Sequence, residues 1–249
     1  MAFLEIEIKA LLREPISLFF LIVVPIILMI VFGGVFGDEQ THFGENVLGI
    51  DTVVPINIVF LLANVGLMGI PITILELKEQ GVLKRYSTYP INMRNYFLSL
   101  MAAFSLFSII STCLFMSLSF FVYGASYFMN LFETTIFILL YFLIIYIFYS
   151  IGFLLALFIK SSRTANLVSS GFFIALLFTS GIVLPIDSLP QYIQVIAKIF
   201  PMFHSVEVTQ MLWISELSWS DSYPSILYLL LLGTGIFILF RNLKVKWEI

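Results

Sequence analysis

Two histidines, one cysteine and a thin scatter of carboxylates are the side chains here that could do acid–base, nucleophilic or metal chemistry. No His-Glu-x-x-His pattern occurs, and His42 and His204 each read as polar residues at a membrane boundary rather than as ligands. Cys113 falls inside an apolar run, so it reads as a small buried hydrophobe rather than a reactive thiol. A single cysteine cannot form an internal disulfide. No glycine-rich loop followed by Lys-Ser or Lys-Thr is present, so the chain does not bind ATP by that route. No charged residue lies near the middle of any long apolar stretch. Ion-coupled carriers and proton pumps use an embedded carboxylate to hold the coupling ion, so this pattern argues against secondary transport. The chain reads as a non-enzyme: what remains open to it is contact and movement.

The charges that could serve contact are concentrated in residues 76–94. There Glu76, Lys78 and Glu79 precede Gly81, then the apolar pair Val82 and Leu83, then Lys84 and Arg85, with a stop at Pro90. Residues 82–88 are predicted to be a short helix, ended because the residue before a proline avoids the α region. A short surface helix between two spans can transmit force from a partner. Equally, the segment can be a solvated turn whose basic residues only fix topology. Both readings stand on chemistry alone.

Two other segments flank the apolar stretches. Residues 1–14 mix Phe3, Leu4, Ile6, Ile8, Leu11 and Leu12 with Glu5, Glu7, Lys9, Arg13 and Glu14. An amphipathic helix on the membrane surface is expected, although residues 4–9 alternate at period two, a strand signal. Residues 187–221 are too apolar for a plain loop. Leu189, Tyr192, Ile193, Val195, Ile196, Ile199 and Phe200 recur at helical spacing, with Pro185, Pro190 and Pro201 as punctuation. This segment is expected to form short re-entrant helices, with Trp213 and Trp219 in an interfacial belt.

The elements that position these segments follow from composition. The 249 residues are 61% hydrophobic and 11% charged, against roughly 25% charged in a soluble domain. Lipid must therefore solvate most of the chain. Uncharged stretches of about 20 residues or more place spans at approximately 15–37, 52–75, 95–124, 134–159, 164–186 and 222–240. Backbone in lipid must satisfy its own hydrogen bonds, so the spans are helices. The fold class is all-α and polytopic, one transmembrane domain over 1–249. With both termini cytoplasmic, eleven of the 12 Lys and Arg fall inside and only Lys198 outside, a strong positive-inside asymmetry. Gly33 and Gly37, at the outer end of span one, have the spacing of a close helix–helix contact and are candidates for a dimer interface.

Taken in order, Arg13-Glu14-Pro15 before span one, the 76–90 segment with Glu76, Glu79, Gly81, Leu83 and Pro90, and the outer run through Pro185, Pro190 and Pro201 to His204 resemble the type-2 family of ABC transporter permeases. The resemblance covers the whole chain. It implies the transmembrane subunit of a bacterial ATP-driven exporter in the cell membrane, paired with a second permease chain, identical or related. ATP and Mg²⁺ would be bound by a separate ABC ATPase subunit, on which the N-terminal helix (Lys9, Arg13, Glu14) and the coupling segment (Glu76, Glu79, Gly81, Leu83, Lys84, Arg85, Pro90) would rest. Spans rich in Phe, Met and Leu with few polar side chains suit a hydrophobic or amphipathic cargo, such as a peptide, drug or lipid-like molecule. Asn64, Met68, Ser169, Ser170, Phe172, Thr179 and Ser180 are the candidate path residues. The rivals are a passive channel or uncoupled carrier, and an immunity protein that sequesters a toxic peptide.

Overall fold

The computed structural model describes residues 2–13, 18–37, 39, 47–87, 93–183, 186–216 and 219–242, and all statements below concern these. Glu14, Pro90, His42 and Pro185 lie outside the described residues, as do Lys244 and Lys246. The described chain is helical throughout, with no strand.

Helix α1 (Ala2–Arg13) settles the ambiguity of the N-terminal pattern. Glu7 and Leu11 are buried and Leu4 and Ile8 half-buried, while Ile6 and Leu12 are exposed. Covered positions thus recur at three and four residues, the helical period, and the period-two alternation is incidental. Helix α2 (Val24–Phe36) follows a π-turn at Phe19–Val23. Helix α3 (Gly49–Asn64) runs through a second π-turn at Val65–Gly69 into α4 (Ile70–Glu79), one continuous rod. After Gly81 comes the short α5 (Val82–Ser87). The long helices α6 (Met93–Tyr123) and α7 (Leu131–Phe158) follow one another across the segment at 124–130 and meet through long side chains, with Tyr149 bonding Ser108 at 2.7 Å and Tyr141 bonding Thr112 at 3.1 Å. Helix α8 (Ser162–Thr179) leads to a 3₁₀ turn at Ile186–Ser188, α9 (Gln191–Ala197), α10 (Pro201–Trp213) and α11 (Trp219–Asn242).

Both π-turns have the same cause. Each ends two residues before a proline, Pro25 and Pro71. Proline lacks the N–H that would bond four residues back, and its ring presses on that carbonyl. A wider turn relieves the crowding: the Val24 amide reaches Phe19 and the Ile70 amide reaches Val65.

Four helices are long and apolar enough to cross a bilayer: the Gly49–Glu79 rod, Asn95–Tyr123, Leu131–Phe158 and Ser222–Asn242, with Leu21–Phe36 a shorter apolar one. Helix ends depart from the apolar limits where caps decide them. The rod begins at Gly49, ahead of residue 52, because the Leu48 amide donates to Asp51 Oδ2 at 3.0 Å. Helix α7 begins at Leu131, ahead of 134, because Asn130 and Glu133 exchange bonds of 2.9 Å in a capping box. Helix α8 stops at Thr179, well short of 186, because Gly181 adopts φ +85 just past its end. At 18 residues it is about 27 Å long.

The core is centred on the α3–α4 rod, which packs against α2, α6, α7, α8 and α10. Gly66 lies so close to α7 that a Cβ there would fall 2.7 Å from Phe148 backbone. A Cβ at Gly152 would fall 1.8 Å from the Gly66 carbonyl oxygen. Two glycines face each other, and backbone meets backbone at mid-span.

Candidate functional site

The rod, α5 and α8 together build the first candidate site, at the end of the bundle where the basic residues gather. Helix α4 finishes with Glu76, Lys78 and Glu79 exposed. Gly81 turns the chain at φ +71, a left-handed conformation that favours glycine. Helix α5 then starts with the Arg85 amide bonding the Gly81 carbonyl at 3.0 Å. Leu83 is its anchor, only 1% exposed, whereas Lys84 and Arg85 are exposed. The segment is thus pinned on one side and presents its charges on the other.

Glu79 has a partner that the sequence did not reveal. Its carboxylate accepts from the Ser162 amide and from the Ser162 hydroxyl, both at 2.7 Å. The bonds from the hydroxyl and the amide stabilise the carboxylate and hold its pKa below the usual carboxylate range. Ser161 caps the same helix start, with its hydroxyl accepting from the Thr164 amide at 3.2 Å. The positive end of α8 thus receives a carboxylate from the neighbouring segment. The Ser161-Ser162-Arg163-Thr164 run was a legible cap, but its partner lies far away in sequence. Lys9 and Arg13 are exposed on α1, which packs against α6.

The candidate path residues fall into two groups. Asn64 precedes the second π-turn and Met68 lies within it, with Asn64 Nδ2 3.6 Å from Met68 Sδ, and α8 packs against this turn and α4. Ser169 on α8 is fully buried, and its hydroxyl finds no hydrogen-bond partner among the described residues. Ser170 bonds Asn166, and the Phe172 ring meets Phe200 at 6.1 Å. Thr179 and Ser180, at the far end of α8, bond their own helix carbonyls.

Gly33 is turned inward. A Cβ there would meet Ile50 at 3.1 Å and Tyr123 at 3.2 Å, and Tyr123 bonds the Ile30 carbonyl. Gly37 is likewise buried, and the outward position on that turn is Gly34.

At the opposite, acidic end lies a polar cluster that periodicity did not reveal. His204 Nδ1 lies 2.7 Å from Ser225 Oγ, and its Nε2 lies 2.8 Å from the Lys198 carbonyl. Ser225 also donates to Glu207. Tyr228 stacks on the imidazole at 4.1 Å and bonds the Ile199 carbonyl. Asp51 Oδ1 takes the Ser126 amide at 2.7 Å, and Glu133 takes the Ser215 hydroxyl at 2.8 Å. These bonds tie α10, α11, the 124–130 turn and the start of the rod into one cap. Ser205, Thr209, Ser222 and Ser225 recur along helix faces as small polar residues, the signal that could have marked this contact. Three expectations are corrected here. His204 is buried rather than interfacial. Trp213 is fully buried among Phe120, Tyr127 and Phe137 rather than facing lipid. Cys113 is exposed rather than buried.

Nothing in these clusters pairs a nucleophile with a base around an open site, and among the described residues no group of three His, Cys, Asp or Glu could hold a metal ion. Compared with known families, residues 1–213 match the family described as ABC-2 type transporter. A search of curated proteins finds no match.

Proposed function

The chain belongs to the ABC-2 type transporter family, and from that premise we propose that it is the membrane subunit of an ATP-driven exporter of hydrophobic or amphipathic cargo. Members of this family are multi-pass transport subunits that normally work with an ATPase subunit. The finer reading has six spans, with α2 and α8 as the two short ones. It puts the basic end, with both termini, in the cytoplasm of a bacterial cell, because eleven of the 12 Lys and Arg would then face inward. A second permease chain completes the path. The partner ATPase binds ATP and Mg²⁺, since the sequence has no Walker A loop of its own.

The observation that carries the reading is the Glu79–Ser162 tie. Segment 76–87 is continuous with the rod through α4 and joined to α8 through Glu79. A push on α5 therefore moves two helices together, and these are the helices that hold the candidate path residues. Leu83 keeps α5 seated while Glu76, Lys84 and Arg85 face away from the bundle, where an ATPase can dock.

The tie also decides how to test coupling. Glu79→Ala removes both the charge and the tie, whereas Ser162→Ala removes the hydroxyl bond and leaves the charge. Under the coupling reading, Glu79→Ala and the Glu79/Arg85 double substitution insert normally but lose substrate-stimulated hydrolysis, and Ser162→Ala retains ATPase co-purification. Unchanged expression, co-purification and hydrolysis in the double variant would favour a stand-alone channel or a sequestering protein. A cysteine at Lys84 that an impermeant reagent labels from outside intact cells would overturn the orientation.

A further inference from the structure

His204 sits where α10, the turn before it and α11 meet, and its ring is only 7% exposed. Nε2 faces the Lys198 carbonyl in that turn at 2.8 Å, and Nδ1 faces the Ser225 hydroxyl on α11 at 2.7 Å. Ser225 Oγ in turn bonds Glu207 Oε2, about one turn further along α10. Carbonyl, imidazole, hydroxyl and carboxylate thus form one chain.

Each link of that chain needs a proton between its two heavy atoms. The carbonyl and an ionised carboxylate bring none, the serine brings one, and a neutral imidazole brings one. Three links therefore share two protons. With the ring proton on Nε2 and the hydroxyl proton toward Glu207, the lone pair of Nδ1 meets those of Ser225. With the hydroxyl turned to Nδ1, Ser225 and Glu207 oppose each other oxygen to oxygen. With the ring proton on Nδ1, Nε2 opposes the Lys198 carbonyl. Every such arrangement leaves one contact without its proton, at about 1–3 kcal/mol. One added proton completes all three. An imidazole is a stronger base than a carboxylate, and Tyr228 stacks on the ring at 4.1 Å, where its face favours a cation. The added proton therefore belongs on the ring, with Glu207 as its counter-charge one hydroxyl away.

Other charges near α10 are engaged elsewhere. Of the elements packed against it, α3 brings Asp51, which accepts from the Leu48 and Ser126 amides. Helix α7 brings Glu133, held by Ser215 and its own cap, while its Tyr141 and Tyr149 bond α6. Helix α8 has no charged residue at this end. Helix α11 brings Tyr228, which donates to the Ile199 carbonyl, and the exposed Tyr223. The Lys198 side chain is exposed. Glu207 is half-buried, so protons reach the chain through it from water at the acidic end.

We propose that His204, Ser225 and Glu207 form a proton-binding site that latches α10 and the turn before it to α11. With the proton bound, both ring nitrogens donate and Glu207 accepts. When it leaves, one link opens, so the acidic-end cap is closed by a proton drawn from the solution on its own side. The site uses no residue of the coupling segment and stands or falls apart from ATP-driven export.

The test uses ring-labelled histidine in nanodisc-embedded protein, with His42→Gln leaving His204 the sole histidine. Nitrogen NMR counts the protons on its ring as pH is raised. A proton held more tightly by the folded than by the unfolded chain adds stability at low pH that is lost as pH rises past its release. Release of the second ring proton and a fall in the melting midpoint should therefore coincide. Glu207→Gln separates this site from a passive bond network. Its amide can donate to Ser225, which frees the hydroxyl to donate to Nδ1, so a neutral ring completes the chain. Release should then come at a pH lower by about one unit or more, and the fall in midpoint that accompanies it should vanish. Ser225→Ala removes the bridge and should lower the release pH as well, which keeps the comparison should Glu207→Gln fail to fold. Release at the same pH in parent and variants, or a parent midpoint that does not fall with release, would overturn the site.

Discussion

At the acidic end of the molecule, Asp51 and His204 are buried, and with Glu133 and Glu207 they are bound to amides, hydroxyls and carbonyls from other segments. At the basic end the charges are exposed, and Glu79 makes its one described tie in the open. The two ends belong to the same helices, so the difference is one of solvent. A polar bond inside protein cannot be exchanged for water without leaving groups unsatisfied, so the acidic end is fixed. A polar bond in water is exchanged at little cost, so the basic end is free to trade partners. Under the proposed function, that asymmetry would suit a subunit driven from one side, with the basic end engaging and releasing an ATPase. The rod runs from one end to the other and carries a π-turn at Val65–Gly69, just before Pro71.

The largest effect is expected where the ends are joined. Gly152→Ala places a methyl 1.8 Å from the Gly66 carbonyl, with Pro71 Cδ at 3.2 Å on another side. Neither neighbour is the far end of a flexible side chain, so the helices must separate. A loss of about 3 kcal/mol or more is expected, read as reduced folded yield and a lower unfolding midpoint in nanodiscs. Gly235→Ala on α11, where nothing lies within 4 Å, is the control and should stay within about 0.5 kcal/mol.

Next come the acidic-end bonds. Asp51→Ala strands the Ser126 and Leu48 amides and should cost about 2–3 kcal/mol. His204→Leu loses bonds to Ser225 and the Lys198 carbonyl and should cost about 2 kcal/mol. Both losses should appear in thermal unfolding. Glu79→Ala, an acid lost at the other end, should leave the midpoint unchanged and alter hydrolysis instead. If Asp51→Ala melted like the parent protein, the acidic end would not be the fixed one.

The sequence showed well where the helices run and poorly which way their faces point. Charges marked the apolar stretches, and the helices fall where those stretches are, with ends adjusted by Asp51, Asn130 and Gly181. The short helix at Val82–Ser87 was legible from Gly81 and the charges around it. The angle around each helix axis was not, because a helix apolar on all faces has no stripe to read. Trp213 was therefore placed against lipid when it is buried, and Cys113 was placed inside when it is exposed. The Gly66–Gly152 crossing and the Glu79–Ser162 tie join residues far apart in sequence, which no local pattern encodes. The two π-turns precede Pro25 and Pro71, but Pro55 sits in a like apolar run without one, so proline alone did not encode them.

The smallest effect tests the basic end directly. Gly81 has φ +71, and nothing lies within 4 Å of the Cβ it lacks. An added methyl therefore meets no neighbour, and only the backbone conformation opposes it, by about 1 kcal/mol. Asparagine enters the same conformation more readily. If α5 is a lever, its angle to α4 is set at Gly81, and a small strain there misdirects it without unfolding anything. Gly81→Ala should then lower substrate-stimulated hydrolysis severalfold while the melting midpoint barely moves, and Gly81→Asn should recover most of the loss. A solvated turn behaves otherwise: it absorbs the strain, and both variants hydrolyse ATP like the parent. Because neither variant changes a charge, neither disturbs the positive-inside signal, so a difference between them reports the geometry of the segment alone.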